Sequence, residues 1–385
     1  MSTGSKRARS PRSPEPRREK RSPYKDTEFP LFPLERFSDK PVQFRQPVEI
    51  GSFSYDEERN TRMDDSQLKY YYPPEVNNNL SDNYDKYIER DQSIPEHIDA
   101  LLECLTHIKE TNKTPGLTEA NFVCYRGIMT KIFCTPYARR DPWELGATLH
   151  RGTIYIEEHE TEYKRKSRQE QNARLHRMCY WGYRFESLCT IPKAPSELQG
   201  NDDPVLEERK NDVVNTNIQY CSVVRTKIHN KSIIMGAEVD CITEKKSTQD
   251  PLRQYVELKT TKQFTRERDQ HNFEKFKLIK FWAQSFLPGI PRIVVGFRDD
   301  DGYLRSVQTL KTLEIPRMVR GKGYWDATVC LNFANAFLDW LQRQITVDNP
   351  KATYTITFKE PFRAIEIVYE GEKNSFLTEA YLEKC

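Results

Sequence analysis

The sequence has few of the residues that build zinc sites and disulfide frameworks. It holds only seven histidines, with no H-E-x-x-H, and its nine cysteines include no C-x-x-C pair. Scattered cysteines in odd number read as reduced intracellular thiols. Any metal then has to be a hard cation held on carboxylates. Uninterrupted apolar runs extend only a few residues, which excludes a bilayer-spanning helix. No basic-then-apolar segment opens the chain, which argues against export. Also missing are a Walker A sequence, G-x-G-x-x-G, a G-x-S-x-G elbow, a Lys-x-Asp-Gly guanylyl-transfer motif and a glutamate-rich Nudix box.

Aromatic residues, in contrast, make up 11% of the 385 positions, mainly as 20 Tyr and 19 Phe, which is enough for a substantial core. A charged fraction of 30% and a mean hydropathy of −0.81 indicate a very polar surface around it. The charge is uneven. Residues 1–25 carry nine Lys/Arg against two Glu, while the rest of the chain has 51 basic and 55 acidic residues. A Ser-Pro-Arg-rich head without apolar residues has nothing to bury, so 1–28 is expected to be a disordered basic tail. Its "SKRARSPR" and "RREKR" clusters suit a nuclear-localisation signal or a nucleic-acid tether, and equally a solubilising tail. The slightly acidic body does not hold nucleic acid by bulk positive charge.

From 29 to 385 no boundary separates self-contained halves. The expected fold is α+β, a single domain of mixed, largely antiparallel β-sheets flanked by helices. Residues 26–92 read as short strands and loops. A helix is expected over "SIPEHIDALLECLTHIKE", with Ser93 as cap, Glu96 completing a capping box, and Ile98, Leu101, Leu102, Leu105 and Ile108 as its buried stripe. "NFVCYRGIMTKIFCTPY" (121–137) reads as a buried strand, and "SRQEQNARLHRMCYWGYRFESLC" as a helix ending near Glu186. Residues 196–212 read as a charged loop and 265–287 as a long helix that buries Phe273, Phe276, Ile279, Trp282, Ala283 and Phe286. "PRIVVGFRDDDGYLRSVQTL" has the pattern of a hairpin with an Asp-Gly turn.

The chemistry centres on "QYVELKTTK" (254–262). Side chains two apart on a strand share a face, so Glu257 and Lys259 point together. Upstream, "GAEVD" puts Glu238 and Asp240 on one face of another apolar strand. If 232–242 and 253–261 pair as an antiparallel hairpin, one register sets Asp240 opposite Glu257 and Glu238 opposite Lys259, with Cβ atoms about 5 Å apart. Three carboxylates crowded against one ammonium repel one another unless cations sit among them. One or two Mg²⁺ or Mn²⁺ ions would relieve that repulsion and bring a water to a phosphate, with Lys259 as electrophilic partner. A solvated strand face and a structural ion-pair cluster are the competing explanations. Gly236 marks a close approach or a bulge.

The motifs "CYRG" (124–127), "WGYRFES" (181–187), "GAEVDCI" (236–242), "YVELKTTK" (255–262) and "KLIKFWAQSFLPGIPRIVVGFRDDDG" (277–302) occur in order. In this the chain resembles the DXO/RAI family of RNA 5′-end decapping nucleases over roughly residues 30–380, and its basic head is similar to that of fungal nuclear members. The resemblance implies an acidic-x-Lys nuclease-like core with two divalent cations. Its ligands would be Glu186, Glu238, Asp240, Glu257 and the carbonyl of Leu258. Arg126, Lys259 and Gln284 would meet the RNA 5′ end, with Cys221 lining the same pocket. It also implies release of pyrophosphate from triphosphorylated RNA, removal of incompletely methylated caps and NAD caps, a nuclear location, and a nuclear 5′→3′ exoribonuclease as partner. Two other readings stay open: an accessory protein for that exoribonuclease with little activity of its own, and a sequence-unspecific endonuclease.

Overall fold

The computed structural model describes residues 26–384 apart from Lys113, Gln171 and Asn374. Two sheets carry the described residues. The larger has ten strands in the spatial order Glu28–Pro30, Ala364–Glu372, Ala352–Phe358, Trp143–His150, Thr153–His159, Phe122–Tyr125, Lys231–Glu238, Gln219–Ile228, Phe44–Tyr55 and Thr61–Arg62. The smaller has six, in the order Leu304–Lys311, Arg292–Arg298, Tyr255–Lys262, Cys241–Ile242, Tyr70–Tyr71 and Thr190–Ile191. Most neighbours run antiparallel. Phe122–Tyr125 is parallel to both its partners, and Tyr255–Lys262 is parallel to Arg292–Arg298. The architecture is therefore the expected mixed α+β domain.

Helices cover these sheets with the stripes their periodicity demands. Asp99–Thr111 buries Leu101, Leu102, Leu105 and Ile108. Ala327–Gln344 contributes Phe333, Phe337, Leu338 and Leu341 to the largest core cluster, where Trp282 stacks on Trp325 with ring centroids 5.5 Å apart. The seven buried cysteines are thiols, and burial raises the pKa of Cys124 and Cys134 to about 12. No helix among the described residues is long and apolar enough to cross a membrane.

Several local expectations are corrected. Residues 26–28 belong to the fold rather than to a tail: Glu28–Pro30 pairs with the strand Ala364–Glu372, and the Trp340 indole donates to the Asp26 carbonyl at 3.2 Å. The remainder of the expected tail, 1–25, lies outside the described residues. The segment 26–92 includes a twelve-residue strand, Phe44–Tyr55, paired along Gln219–Ile228. The helix expected from Ser93 starts at Asp99 instead. Asp91 Oδ1 takes both the backbone N–H and the hydroxyl of Ser93, and Glu96 is drawn to Arg59 and Arg90. The strand expected across 121–137 stops at Tyr125 and continues as the helix Arg126–Cys134. In the charged stretch 196–212, Asp203 caps a short helix, Pro204–Glu208. The long helix of 265–287 forms as Glu267–Asn272 and Leu278–Phe286 joined by a π-helical turn over Phe273–Lys277, and that turn leaves Phe276 exposed. The hairpin Arg292–Arg298/Leu304–Lys311 closes as expected, with Gly302 at φ +92°.

Candidate active site

The strand Lys231–Glu238 ends in the large sheet, and two residues later Cys241–Ile242 begins in the small one. The chain crosses between sheets at Val239–Asp240, and the acidic cluster forms there. Cys241 pairs with Val256 and Ile242 with Tyr255. Continued by one residue, this register sets Asp240 across from Glu257, as expected from the sequence. The Leu258 N–H donates to Asp240 Oδ2 at 2.5 Å, fixing that carboxylate against the second strand. The expected hairpin is otherwise corrected. Glu238 lies opposite Cys221 in the other sheet, not opposite Lys259, because its strand stays paired in the large sheet and only Cys241 and Ile242 pair with the second strand.

Glu257 is 1% exposed, and two cations hold it. Lys259 Nζ lies 2.6 Å from its Oε1. Arg126, the first residue of its helix, places Nη1 3.1 Å from Oε2 and donates from the same nitrogen to the Gln284 carbonyl at 3.1 Å. Burial pushes the Glu257 carboxyl up, but Arg126 and Lys259 together outweigh it and hold the group below the usual range. Its neighbours behave oppositely. Burial first, then Glu257, raises Asp240 to about 7. Burial and the charge of Asp240 push Glu186, near the end of the helix Ala173–Leu188, well above the carboxylate range. Burial works against the charged form of Lys259, yet Glu257, Asp240 and Glu186 keep its ammonium protonated far above neutrality.

The structure thus brings together Glu186, Glu238, Asp240, Glu257, Lys259 and Arg126. Leu258 joins them through its backbone. Gln284 meets Arg126 through its carbonyl and also lines an adjoining pocket with Lys131, Lys164 and Lys280. Cys221 lines the main cleft, a cavity of about 980 Å³ walled also by Arg59, Arg90, Arg126 and Glu238; burial keeps its thiol protonated. The competing solvated strand face is excluded by the burial of Glu257.

Four carboxylates face two cations, and burial first, then repulsion among the carboxylates, raises Asp240 and Glu186. That donor set fits hard divalent cations. The side chains are not closed around an ion: among the described residues no three His, Cys, Asp or Glu stand as a ready cluster. Instead Glu257 is turned to Arg126 and Lys259, and Glu238 to Gln219 at 2.7 Å.

Gln219 and Arg59 escaped the sequence reading. For Gln219 a signal existed. The strands Gln219–Ile228 and Lys231–Glu238 join through a two-residue turn, and counting back from it brings Cys221 opposite Glu238, with Gln219 two residues further along on the same strand face. For Arg59 there was none, since its partner Glu96 lies 37 residues away in an irregular segment. Gly236 has its reason here too. A Cβ would stand 2.8 Å from two carbons of the Tyr125 ring, immediately before Arg126. Gly236→Val is expected to cost about 1–3 kcal/mol, read as a lowered urea midpoint.

An aspartate at the crossing between two sheets, facing a Glu-x-Lys triplet on the adjoining strand, defines a PD-(D/E)XK-type hydrolytic core. The family model described as RAI1 like PD-(D/E)XK nuclease matches residues 45–382, and the chain belongs to that family. It is a hydrolase of the nuclease class. The decapping nuclease RAI1 of Neurospora crassa is 42% identical over 327 residues, covering 83% of this chain and 77% of that protein. Among solved structures, Candida albicans Rai1 in complex with pU5 and Mn²⁺ superposes with a TM-score of 0.81 at 26% identity, covering 90% of this chain and 96% of the other. Scheffersomyces stipitis Rai1 in complex with (3′-NADP)⁺ and calcium ion also gives 0.81, at 27% identity, covering 94% and 98%.

Proposed function

We propose that this protein is a divalent-cation-dependent decapping nuclease acting on RNA 5′ ends, releasing pyrophosphate from 5′-triphosphates and removing incompletely methylated caps and NAD caps. The observation that carries the reading is the cluster of Glu186, Glu238, Asp240 and Glu257 around Lys259 at the sheet junction. The C. albicans relative bound to pU5 and Mn²⁺ supports RNA as substrate, and the (3′-NADP)⁺ complex of the S. stipitis relative supports a dinucleotide cap.

Glu186, Glu238, Asp240, Glu257 and the Leu258 carbonyl would hold one or two Mg²⁺ or Mn²⁺ ions. Such ions supply Lewis-acid polarisation of the scissile phosphate and lower the pKa of the attacking water. The protein's own groups do the remainder. Lys259, fixed by Glu257, offers an ammonium to a phosphoryl oxygen as charge develops there. Arg126 is anchored through Nη1, so its other donors serve the terminal phosphate in the cleft. Gln284 steadies Arg126 and borders the path of the first nucleotide. Cys221, a neutral thiol, shapes the wall.

Incubation of the protein with end-labelled triphosphate, unmethylated-cap and NAD-capped RNA tests the substrate class. Expected products are pyrophosphate, a capped dinucleotide and NAD-type release, each leaving a 5′-monophosphate. Internal cleavage of all substrates alike would favour the endonuclease reading, and no product from any of them the accessory reading. We further propose a nuclear location and a nuclear 5′→3′ exoribonuclease as partner. The basic head over 1–25 and the likeness to fungal nuclear relatives support this. A fluorescent fusion that stays cytoplasmic with the head intact would count against the location, and failure to co-purify with that exoribonuclease against the partner.

Protons and cations compete for these carboxylates, and the direction follows from Asp240. Its folded pKa of about 7 lies above the ordinary 3.8, so between those values the folded state binds the extra proton. The contribution of Asp240 to metal-free stability therefore falls as pH rises from about 4 to about 7, and Glu186 acts in the same sense. Added Mn²⁺ is expected to raise Tm markedly at pH 8 and little at pH 5. Equal shifts at both pH values, read by differential scanning fluorimetry, would contradict this.

A further inference from the structure

Glu238 is the exposed member of the acidic cluster, at the end of its strand. Its Oε1 accepts from Gln219 Nε2 at 2.7 Å, and Gln219 Oε1 in turn accepts from Arg59 Nη1 at 2.6 Å. Arg59 is held in place from three further sides. It donates through Nε and Nη2 to both oxygens of Glu96, at 2.8 and 2.9 Å, and Arg90 closes onto the same carboxylate at 2.6 Å. Nη1 also donates to the Asn217 carbonyl at 2.8 Å, and the guanidinium lies 3.7 Å from the centre of the Tyr55 ring. The residue itself has φ +69°, a left-handed backbone that a non-glycine residue rarely adopts.

A glutamine amide presents a donor at one end and an acceptor at the other, and its neighbours decide which end goes where. With its oxygen occupied by a guanidinium, Gln219 can offer Glu238 only its NH₂. Without Arg59 the amide could turn its carbonyl toward the carboxylate, and Glu238 would lose the hydrogen bond that Gln219 gives it. We propose that Arg59 is a positioning residue: by fixing the Gln219 amide it holds Glu238 oriented for a divalent cation. This rests on Glu238 being a ligand, as read above. Groups behind metal-ligating side chains commonly change metal affinity 10–100-fold when lost.

The test is Mn²⁺ titration by calorimetry in the absence of RNA, followed by turnover at graded Mn²⁺. It uses full-length wild type, Gln219→Ala, Arg59→Met and the double variant, with Glu238→Ala as control. Methionine keeps an apolar stem over Tyr55. Each single variant is expected to weaken Mn²⁺ binding roughly 10-fold or more. The double variant should be no weaker than either single one, with KM for RNA unchanged and kcat recovering at saturating Mn²⁺. Wild-type affinity in Gln219→Ala, additive losses in the double variant, or a raised KM for RNA with intact Mn²⁺ binding in Arg59→Met would each overturn the proposal. If Arg59→Met does not fold, Gln219→Ala alone decides. Wild-type affinity in Glu238→Ala would instead refute the ligand reading beneath it.

Discussion

Asp240→Asn is expected to abolish activity while making the metal-free protein more stable. The amide keeps an oxygen for the Leu258 N–H, so the 2.5 Å bond survives in kind, but the charge is gone. That charge is held at a cost, since burial and the facing Glu257 raise Asp240 to about 7. Its removal relieves Glu186 as well, which is pushed up by burial and then by Asp240. At pH 8 the variant should gain roughly 1–2 kcal/mol, the size usual when a strained functional site is relaxed. At pH 4, where the wild-type carboxyl is protonated in the folded state, the gain should vanish. Turnover should fall by about 10²–10³-fold or more, the scale on which a single group that stabilises the transition state matters. Urea unfolding at both pH values and turnover on triphosphate RNA read the two effects separately. Activity lost together with stability would mean Asp240 is structural.

The second large effect is expected at Arg126. Its guanidinium is 12% exposed and faces a carboxylate that is 1% exposed, and burial of Glu257 is offset only by Arg126 and Lys259. Removing one partner of a buried pair leaves an uncompensated charge, at a cost of about 3–5 kcal/mol. Lys259 remains 2.6 Å from Glu257, so the lower end, about 3 kcal/mol, is expected for Arg126→Met. Saturating Mn²⁺ should recover part of the lost Tm, because a cation among the carboxylates does electrostatically what the guanidinium did. An unchanged Tm, or a loss that Mn²⁺ leaves untouched, would show that the pair does not hold the cluster together.

What was legible in the sequence was whatever depends on period and local register. The stripe Leu101, Leu102, Leu105 and Ile108 is buried as read, and Asp240 does meet Glu257, because both follow from spacing. The start of that helix was not legible. A Ser and a Glu three apart look like a capping box, yet Glu96 is claimed by Arg59 from a distant turn. Residues 126–134 were misread because a short segment buried on several sides has no clear period: Ile128, Met129, Ile132, Phe133 and Cys134 are all inside. The hairpin was half right for a related reason, since nothing local announces that a strand passes into another sheet at Val239. Glu186 could be tied to the cluster only by resemblance, because the helix that carries it packs on the strand Tyr255–Lys262 across some 70 residues of chain.

The most direct test is release of labelled pyrophosphate from 5′-triphosphate RNA by wild type and Glu238→Ala, each in Mn²⁺ and in EDTA, with folding checked by circular dichroism. Release by wild type in Mn²⁺ alone, and none from the folded variant, is the predicted result. Release that persists in EDTA or in the folded Glu238→Ala protein would contradict a metal-dependent centre at this carboxylate cluster.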